Sequence, residues 1–394
     1  MRFSLLAIQV LLLDLGSAFT HPSLLHTKAD LDRVIAKVKA NSEPWKTGWT
    51  ILTSNSHASA TYKPSPQATI YRGKCDGCPA ENYSKLYNDA AAAYALALRW
   101  KISGDTSFAN AARAILDGWA STLKEIGGNS DKFLASGIYG YQLANAAEIL
   151  RSYSGWPASS LNKFSTMMRD VFYPMNNRFM VKHNDAAVDH YWANWELANI
   201  ATMQAIGILS DNQTMYNEAV GYFKNGQGNG ALPKAIWKVH TEAGFGKKLG
   251  QNQEAGRDQG HATLDFSLLG VIAQQSYNQG DDLFALLDNR ILAGSEYVTK
   301  YNLGHDVPYS TYTNSDVTQP GISSSGRGAI RPAWELIHAH YSSVKGLNAS
   351  WTGQMRDLVN KQSGGAEGGG GNYGGSSGGF DQLGYGTLMY RLKA

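Results

Sequence analysis

The stretch NDAAAAYALALRWKISGD, residues 88–105, decides the fold. Ala and Leu fill it from Ala90 to Leu98 with only Tyr94 between them, and both are strong helix formers. The pattern predicts a helix over 88–102, closed by Gly104 and followed by Asp105 as a start signal. The segment 106–126 repeats that pattern. Downstream, helices are predicted over 138–153, 160–179, 192–209, 212–225, 261–278, 281–301, 332–344 and 350–361. The breaks carry Ser154-Gly155-Trp156-Pro157, Ser210-Asp211-Asn212 and Gly280-Asp281. No run of alternating strands separates the helices. This is the spacing of stacked antiparallel helical hairpins, and so of an all-α chain. Two irregular regions interrupt it, 226–256 and 303–331. In hairpins closed into a toroid, such loops lie at one mouth of a central groove, where function usually sits.

Toward the start, HPSLLHTKADLDRVIAKVKANSEPWKTGW (21–49) opens extended and then turns helical. Thr27 with Asp30 predicts a capping box, and Leu31, Val34, Ile35 and Val38 form the apolar stripe. Residues 54–84 read as loop. Residues 1–20 read as a secretory leader: Arg2, the apolar run Leu5 to Leu13, then Gly16, Ser17 and Ala18. That run is too short to span a bilayer, and no second hydrophobic span follows. Sequons at Asn82, Asn212 and Asn348 join the leader in pointing to a secreted eukaryotic glycoprotein, in keeping with a fungal source. In an exported chain Cys75 and Cys78 read as a loop-stapling disulfide, and two cysteines without paired His make no zinc site. A net charge of +3 is too close to neutral to argue for nucleic acid. The Gly/Ser-rich 363–379 reads as a flexible surface excursion before the apolar FDQLGYGTLMYRL (380–392).

Chemistry concentrates in QNQEAGRDQGH, residues 251–261. On a helix, Glu254, Arg257, Asp258 and His261 fall at i, i+3, i+4 and i+7, one face over two turns. Gln251 extends the stripe backward and Asp265 forward. Gly256 and Gly260 each cost a helix roughly 1 kcal/mol relative to Ala. They are expected to let something large approach the main chain. The plain alternative is a solvated face with an Arg–Asp pair. A second polar group is His190, Tyr191 and Asn194, flanked by Trp192 and Trp195. It reads either as an aromatic helix start with a capping His, or as an amide and aromatic rings facing a sugar. The chain's 10 Trp and 21 Tyr suit a carbohydrate groove, although a large helical core also consumes aromatics.

Four segments together resemble the alginate-lyase-like polysaccharide lyases. They are HPSLLHTKADLDRVIAKV (21–38), NDAAAAYALALRWKISGD, WANWEL (192–197) and EAGRDQGH (254–261). The resemblance runs over 21–392 and is greatest to the branch with glucuronan-cleaving and some alginate-cleaving members. One departure stands out. Many classical members carry Asn-Asn-His before the aromatic helix, where this chain has Asp189, His190, Tyr191, Trp192, Ala193 and Asn194.

The resemblance implies an (α/α) toroid over 21–394 as one lyase domain, cleaving an anionic polyuronate by β-elimination. That chemistry needs donors on the uronate carboxylate, a base at C5 and an acid at O4. It implies Asn194 and Arg257 as carboxylate holders and His261 as neutraliser or base. Tyr309 is the candidate acid/base, with Tyr312 and Tyr191 behind it. Arg327 and Arg331 are candidates to read carboxylates elsewhere along the substrate. His190, Trp195, His240 and Gln253 are expected to line the groove, and Glu254 and Asp258 to orient Arg257 and His261. The alternatives are a glycoside hydrolase, which needs two carboxyl groups flanking the bond, and a non-catalytic polyuronate-binding protein. No metal, cofactor, membrane or nucleic acid is expected, and the protein is expected to be a monomer.

Overall fold

The structure is a computed structural model, and it describes residues 19–242 and 246–393. The expected leader lies outside the described residues except for its last two. Helices α1 (Lys28–Lys39), α2 (Trp45–Ser54), α3 (Ser84–Ser103), α4 (Thr106–Thr122) and α5 (Lys132–Leu150) open the chain. There follow α6 (Ala158–Met167), α7 (Tyr173–Lys182), α8 (Ala193–Leu209), α9 (Gln213–Asn225) and the short α10 (Leu232–Ala235). After them come α11 (Gln259–Tyr277), α12 (Leu286–Asn302), α13 (Trp334–His338), α14 (Ser350–Gln362) and α15 (Gly386–Tyr390).

The sequence explains the punctuation. Thr27 and Asp30 form the reciprocal capping box that starts α1. Gly104 ends α3 in the left-handed region, and Asp105 caps α4 by accepting from Ser107 N–H. Asn212 caps α9 in the same way.

Burial sorts the helices into two rings. In α5 and α8 nearly every residue is buried, while α4 and α9 bury one stripe. The inner series packs α3 on α5, α5 on α8 and α8 on α11, with α4 and α9 outside. The ring continues from α11 through α13 to α15, which meets α1 and α2, and α1 returns to α3. This is the (α/α) toroid. An amide ladder threads the inner ring: Asn145 of α5 donates to Gln275 of α11, Gln275 to Gln204 of α8, and Gln204 to Ser276. Leaving one of these buried groups unpaired costs about 1–3 kcal/mol, so the ladder fixes the register of three helices.

Several expectations change. Helix α2 occupies residues read only as the tail of the opening segment. The predicted 160–179 helix is two helices joined by a π turn, Met168–Phe172, with Pro174 opening α7. Among the described residues there are three two-stranded pairs: β1 (Thr69–Tyr71) with β2 (Glu125–Gly127), β3 (Lys238–Thr241) with β4 (Lys248–Gln251), and β5 (Tyr312–Thr313) with β6 (Thr318–Gln319). The Gly-rich tail is not a surface excursion throughout. Ala366 to Gly370 are buried, and a methyl group added at Gly369 would lie 2.2 Å from the Tyr385 ring. Those glycines are there because only a bare main chain fits against the core.

Candidate active site

The site is built where β4 runs into α11. The single helix expected over 251–261 does not form. β4 ends at Gln251, a 3-10 turn spans Gln253–Gly256, and Asp258 is the extended N-cap of α11. The reason is the cap itself. Asp258 accepts the His261 main-chain N–H at 2.8 Å, a bond available only to a residue outside the helix. The four polar side chains meet nonetheless, because a turn followed by a capped first turn also brings them together.

Arg257 is the hub. Its Nη1 donates to Glu254 Oε2 at 2.8 Å, its Nε lies 3.6 Å from Asp258, and its guanidinium stacks 5.0 Å above the Trp192 ring. Its Nη2 lies 3.2 Å from His261 Nε2. Arginine only donates, so Nε2 accepts, and the imidazole carries its proton on Nδ1 toward Asp258 at 2.7 Å. His261 is thus a neutral, oriented ring, and it is the most exposed of the four. Burial works to raise the Asp258 carboxyl, but hydrogen bonds from the His261 ring and main chain outweigh it and bring it down to about 2. Glu254 lies fully buried below. Both carboxylates serve Arg257 and His261, and they do not flank a groove as a hydrolase requires.

The other candidates divide into support and periphery. Asn194 is buried and gives both its main-chain N–H (2.9 Å) and its amide N–H (2.6 Å) to Glu254 Oε1. It therefore holds Glu254. Gln253 accepts from Ala193 N–H and donates to the Tyr312 hydroxyl, so both pin β5 to the start of α8. The Tyr191 and Trp195 rings lie 4.8 Å apart and tilted by 43°, and the Tyr191 hydroxyl accepts from Asn184. His190 precedes α8, so it shares no helix face with Asn194. It pairs with Asp316 at 2.7 Å near the surface. His240 lies 3.0 Å from Gln251, which also exchanges two hydrogen bonds with the Ser310 main chain.

Arg327 stacks on Tyr301 and donates to the carbonyls of Tyr301 and His305. Arg331 reaches the cluster from below. It donates to the Gly260 carbonyl at 3.1 Å and pairs with Asp381 at 3.4 Å.

The large object expected at the glycines is the protein's own 303–331 loop. A methyl group at Gly256 would lie 2.4 Å from the Tyr309 hydroxyl, and at Gly260 the loop crosses where Gln259 N–H donates to Ser325. Tyr309 thus sits beside the residue preceding Arg257, half-buried, with its hydroxyl donating to the Gln319 carbonyl at 3.0 Å. Burial pushes its phenol up. That is the opposite of the lowered value a tyrosinate base needs.

Sequence reasoning missed the Trp192 platform, although Trp192 was visible in the motif. Arg72 lies over Tyr83 and Tyr139 and donates to the Tyr139 hydroxyl at 3.3 Å. Nothing in the local sequence marks Arg72. Cys75 and Cys78 are disulfide-bonded. Among the sequons, Asn348 is exposed, Asn212 is the α9 cap, and Asn82 spends its amide on Tyr71 and Thr69. Among the described residues no His/Cys/Asp/Glu group could hold a metal ion, and no helix is long and apolar enough to cross a membrane.

The alginate lyase family pattern matches residues 41–306. No curated protein matches the chain. An alginate lyase from Bacteroides ovatus has the same fold, with TM-score 0.60 at 12% identity over 95% of this chain and 100% of that one. Alginate lyase A1-III from Sphingomonas species A1 gives TM-score 0.57 at 13% identity over 92% and 95%. At such identities the structures speak for the fold, and the family match speaks for descent. Fold and family together define a polysaccharide lyase built on an (α/α) toroid. The chain belongs to the alginate lyase family.

Proposed function

We propose that this protein is a secreted, monomeric lyase acting as one catalytic unit from residue 21. It cleaves β-1,4-linked uronic-acid polymers, glucuronan or alginate, by β-elimination. The observation that carries the reading is the neutral His261 imidazole held between Asp258 and Arg257. Elimination removes the C5 proton, moves its electron pair into a C4–C5 double bond and expels O4, which takes up a proton. Arg257, on its Trp192 platform, bonds the substrate carboxylate and stabilises the enolate charge. In doing so it releases His261 Nε2 to accept the C5 proton. Tyr309, whose phenol burial keeps protonated, donates to O4. In β-1,4-linked glucuronate or mannuronate, H5 and O4 lie on one side of the ring, so both groups work from one face. Arg72 and Arg331 bind further carboxylates, and Asn348, the exposed sequon, carries the glycan.

The test is near-ultraviolet absorbance of the unsaturated product over a panel of purified polyuronates. The parent should produce it on at least one polymer. R257A and H261A should lose roughly 1000-fold or more in kcat/KM with unchanged circular dichroism. Near-parental turnover in both variants overturns the assignment.

A further inference from the structure

Below the Arg257 cluster lies a carboxyl group that the reaction does not use. Asp265 is on the second turn of α11, fully buried, between Leu264 and Phe266. Its Oδ2 accepts from Asn252 Nδ2 at 2.8 Å. Its Oδ1 is buried and meets no N–H or O–H donor among the described residues. The Glu254 carboxylate lies within hydrogen-bond reach of the Asp265 carboxyl. Glu254 already accepts three hydrogen bonds, two from Asn194 and one from Arg257. Two ionised carboxylates in contact in a dry interior repel strongly, and a shared proton removes the conflict.

We propose that Asp265 is a positioning residue for the elimination: as a neutral acid it donates from Oδ1 to Glu254 and so fixes the carboxylate that holds Arg257 and Asn194. Burial first, and the Glu254 charge second, push the Asp265 carboxyl well above the usual carboxylate range, with Asn252 and Arg257 opposing. The proton also matters to the substrate. Glu254 and Asp258 already place two negative charges around Arg257. An ionised Asp265 would add a third under a site that must admit a carboxylate. Asp265 touches no substrate in this arrangement. It acts through Glu254, which acts through Arg257.

The inference rests on the lyase reading above, so its test has one arm with activity and one without. In the first, kcat and KM are measured for D265N and D265A on the polymer the parent cleaves. An amide at this position can donate to Glu254 and accept from Asn252, so D265N should stay within about 3-fold of the parent. D265A leaves Glu254 without its clamp and should lose about 100-fold in kcat through misplaced Arg257. A D265N as impaired as D265A overturns the proposal, because it would mean the charge and not the proton is needed. A D265A with parental kcat overturns it equally. The second arm is infrared spectroscopy of parent against D265N at neutral pH, which needs no substrate. A protonated carboxylic acid band present in the parent and absent in D265N is expected. A carboxylate band in its place overturns the proposal even if no polymer is cleaved. A parent that eliminates no polyuronate, with the acid band present, sinks the lyase reading and leaves the Asp265–Glu254 pair standing.

Discussion

At the scale of single residues, Asp258 does two jobs with its two oxygens. Oδ1 caps α11 through the His261 N–H, and Oδ2 holds the His261 ring. The D258N variant separates them. Asn caps helices as well as Asp does, so the circular dichroism should hold, while the share of stability that the ionised carboxylate supplies is lost. Its amide, however, can present a donor to Nδ1 and favour the wrong tautomer. Turnover should fall by roughly 100-fold or more, read as kcat at saturating substrate. The carboxyl sits at about 2 in the folded state, below its usual 3.8. Its contribution to stability is therefore complete above 3.8 and is lost as pH falls toward 2, so no alkaline effect is expected from it. The sequence made Arg257, Asp258 and His261 legible, because three such groups at helical spacing beside an apolar run are hard to explain otherwise. It did not show that Asn194 is bonded to Glu254. An amide at a helix start reads the same whether it faces solvent or a buried Glu254, which is 60 residues away in the chain.

At the scale of elements, the site depends on a strap. The 303–331 loop is stitched to the β4–α11 junction by Ser323 N–H to Ala255, Gln259 N–H to Ser325, and the Gln259 amide to Ser323. The closeness of this stitching is set at Gly256. A G256A variant puts a methyl group against the Tyr309 hydroxyl and the Gln319 side chain, which meets it at 2.7 Å. Overpacking of this kind costs typically about 1–3 kcal/mol. G256A should show a lowered thermal midpoint together with reduced kcat, because Tyr309 must move. Unchanged values of both would show that the strap is not seated on Gly256. The two glycines were readable as a demand for room, but what fills the room was not. A helical spacing and a turn-plus-cap spacing place the same residues together, and periodicity does not distinguish them. The Gly-rich tail failed for a related reason: composition signals freedom, whereas Gly369 is used for contact with Tyr385.

For the whole molecule, the hairpin repeat was legible because helix propensity and punctuation agree at each break. The short strand pairs were not, since two or three residues carry no period. The core also holds ionisable groups that set how stability depends on pH. Burial brings His26 and His340 down from 6.5 to about 4, for His340 against Asp282 and with the help of Lys345. The unfolded chain binds these protons first, so stability is full above 6.5 and declines as pH falls toward 4. Glu367 runs the other way. Burial, then the Glu335 charge, push it from 4.5 up to about 8. Its folded form keeps the proton, so stability is full below 4.5 and declines as pH rises toward 8. Thermal midpoints across pH should form a dome with its maximum in the mildly acidic range. H340F should flatten the acidic limb, since Phe284 already stacks on that ring and Tyr277 meets it edge-on. E367Q should flatten the alkaline limb. A limb that keeps its slope in the matching variant removes that residue from the account.

The closure of the ring by α15 has a consequence for how the protein is made. Arg33 of α1 donates to the Met389 carbonyl, and Gly48 of α2 lies against Leu388. Helices α1 and α2 are therefore sealed by residues made long after them, 356 positions later in the case of Arg33 and Met389. Until then, the inner faces of α1 and α2 have no partner there and must be shielded from aggregation. Emergence of α15, and not of the earlier hairpins, sets the moment at which the toroid can lock.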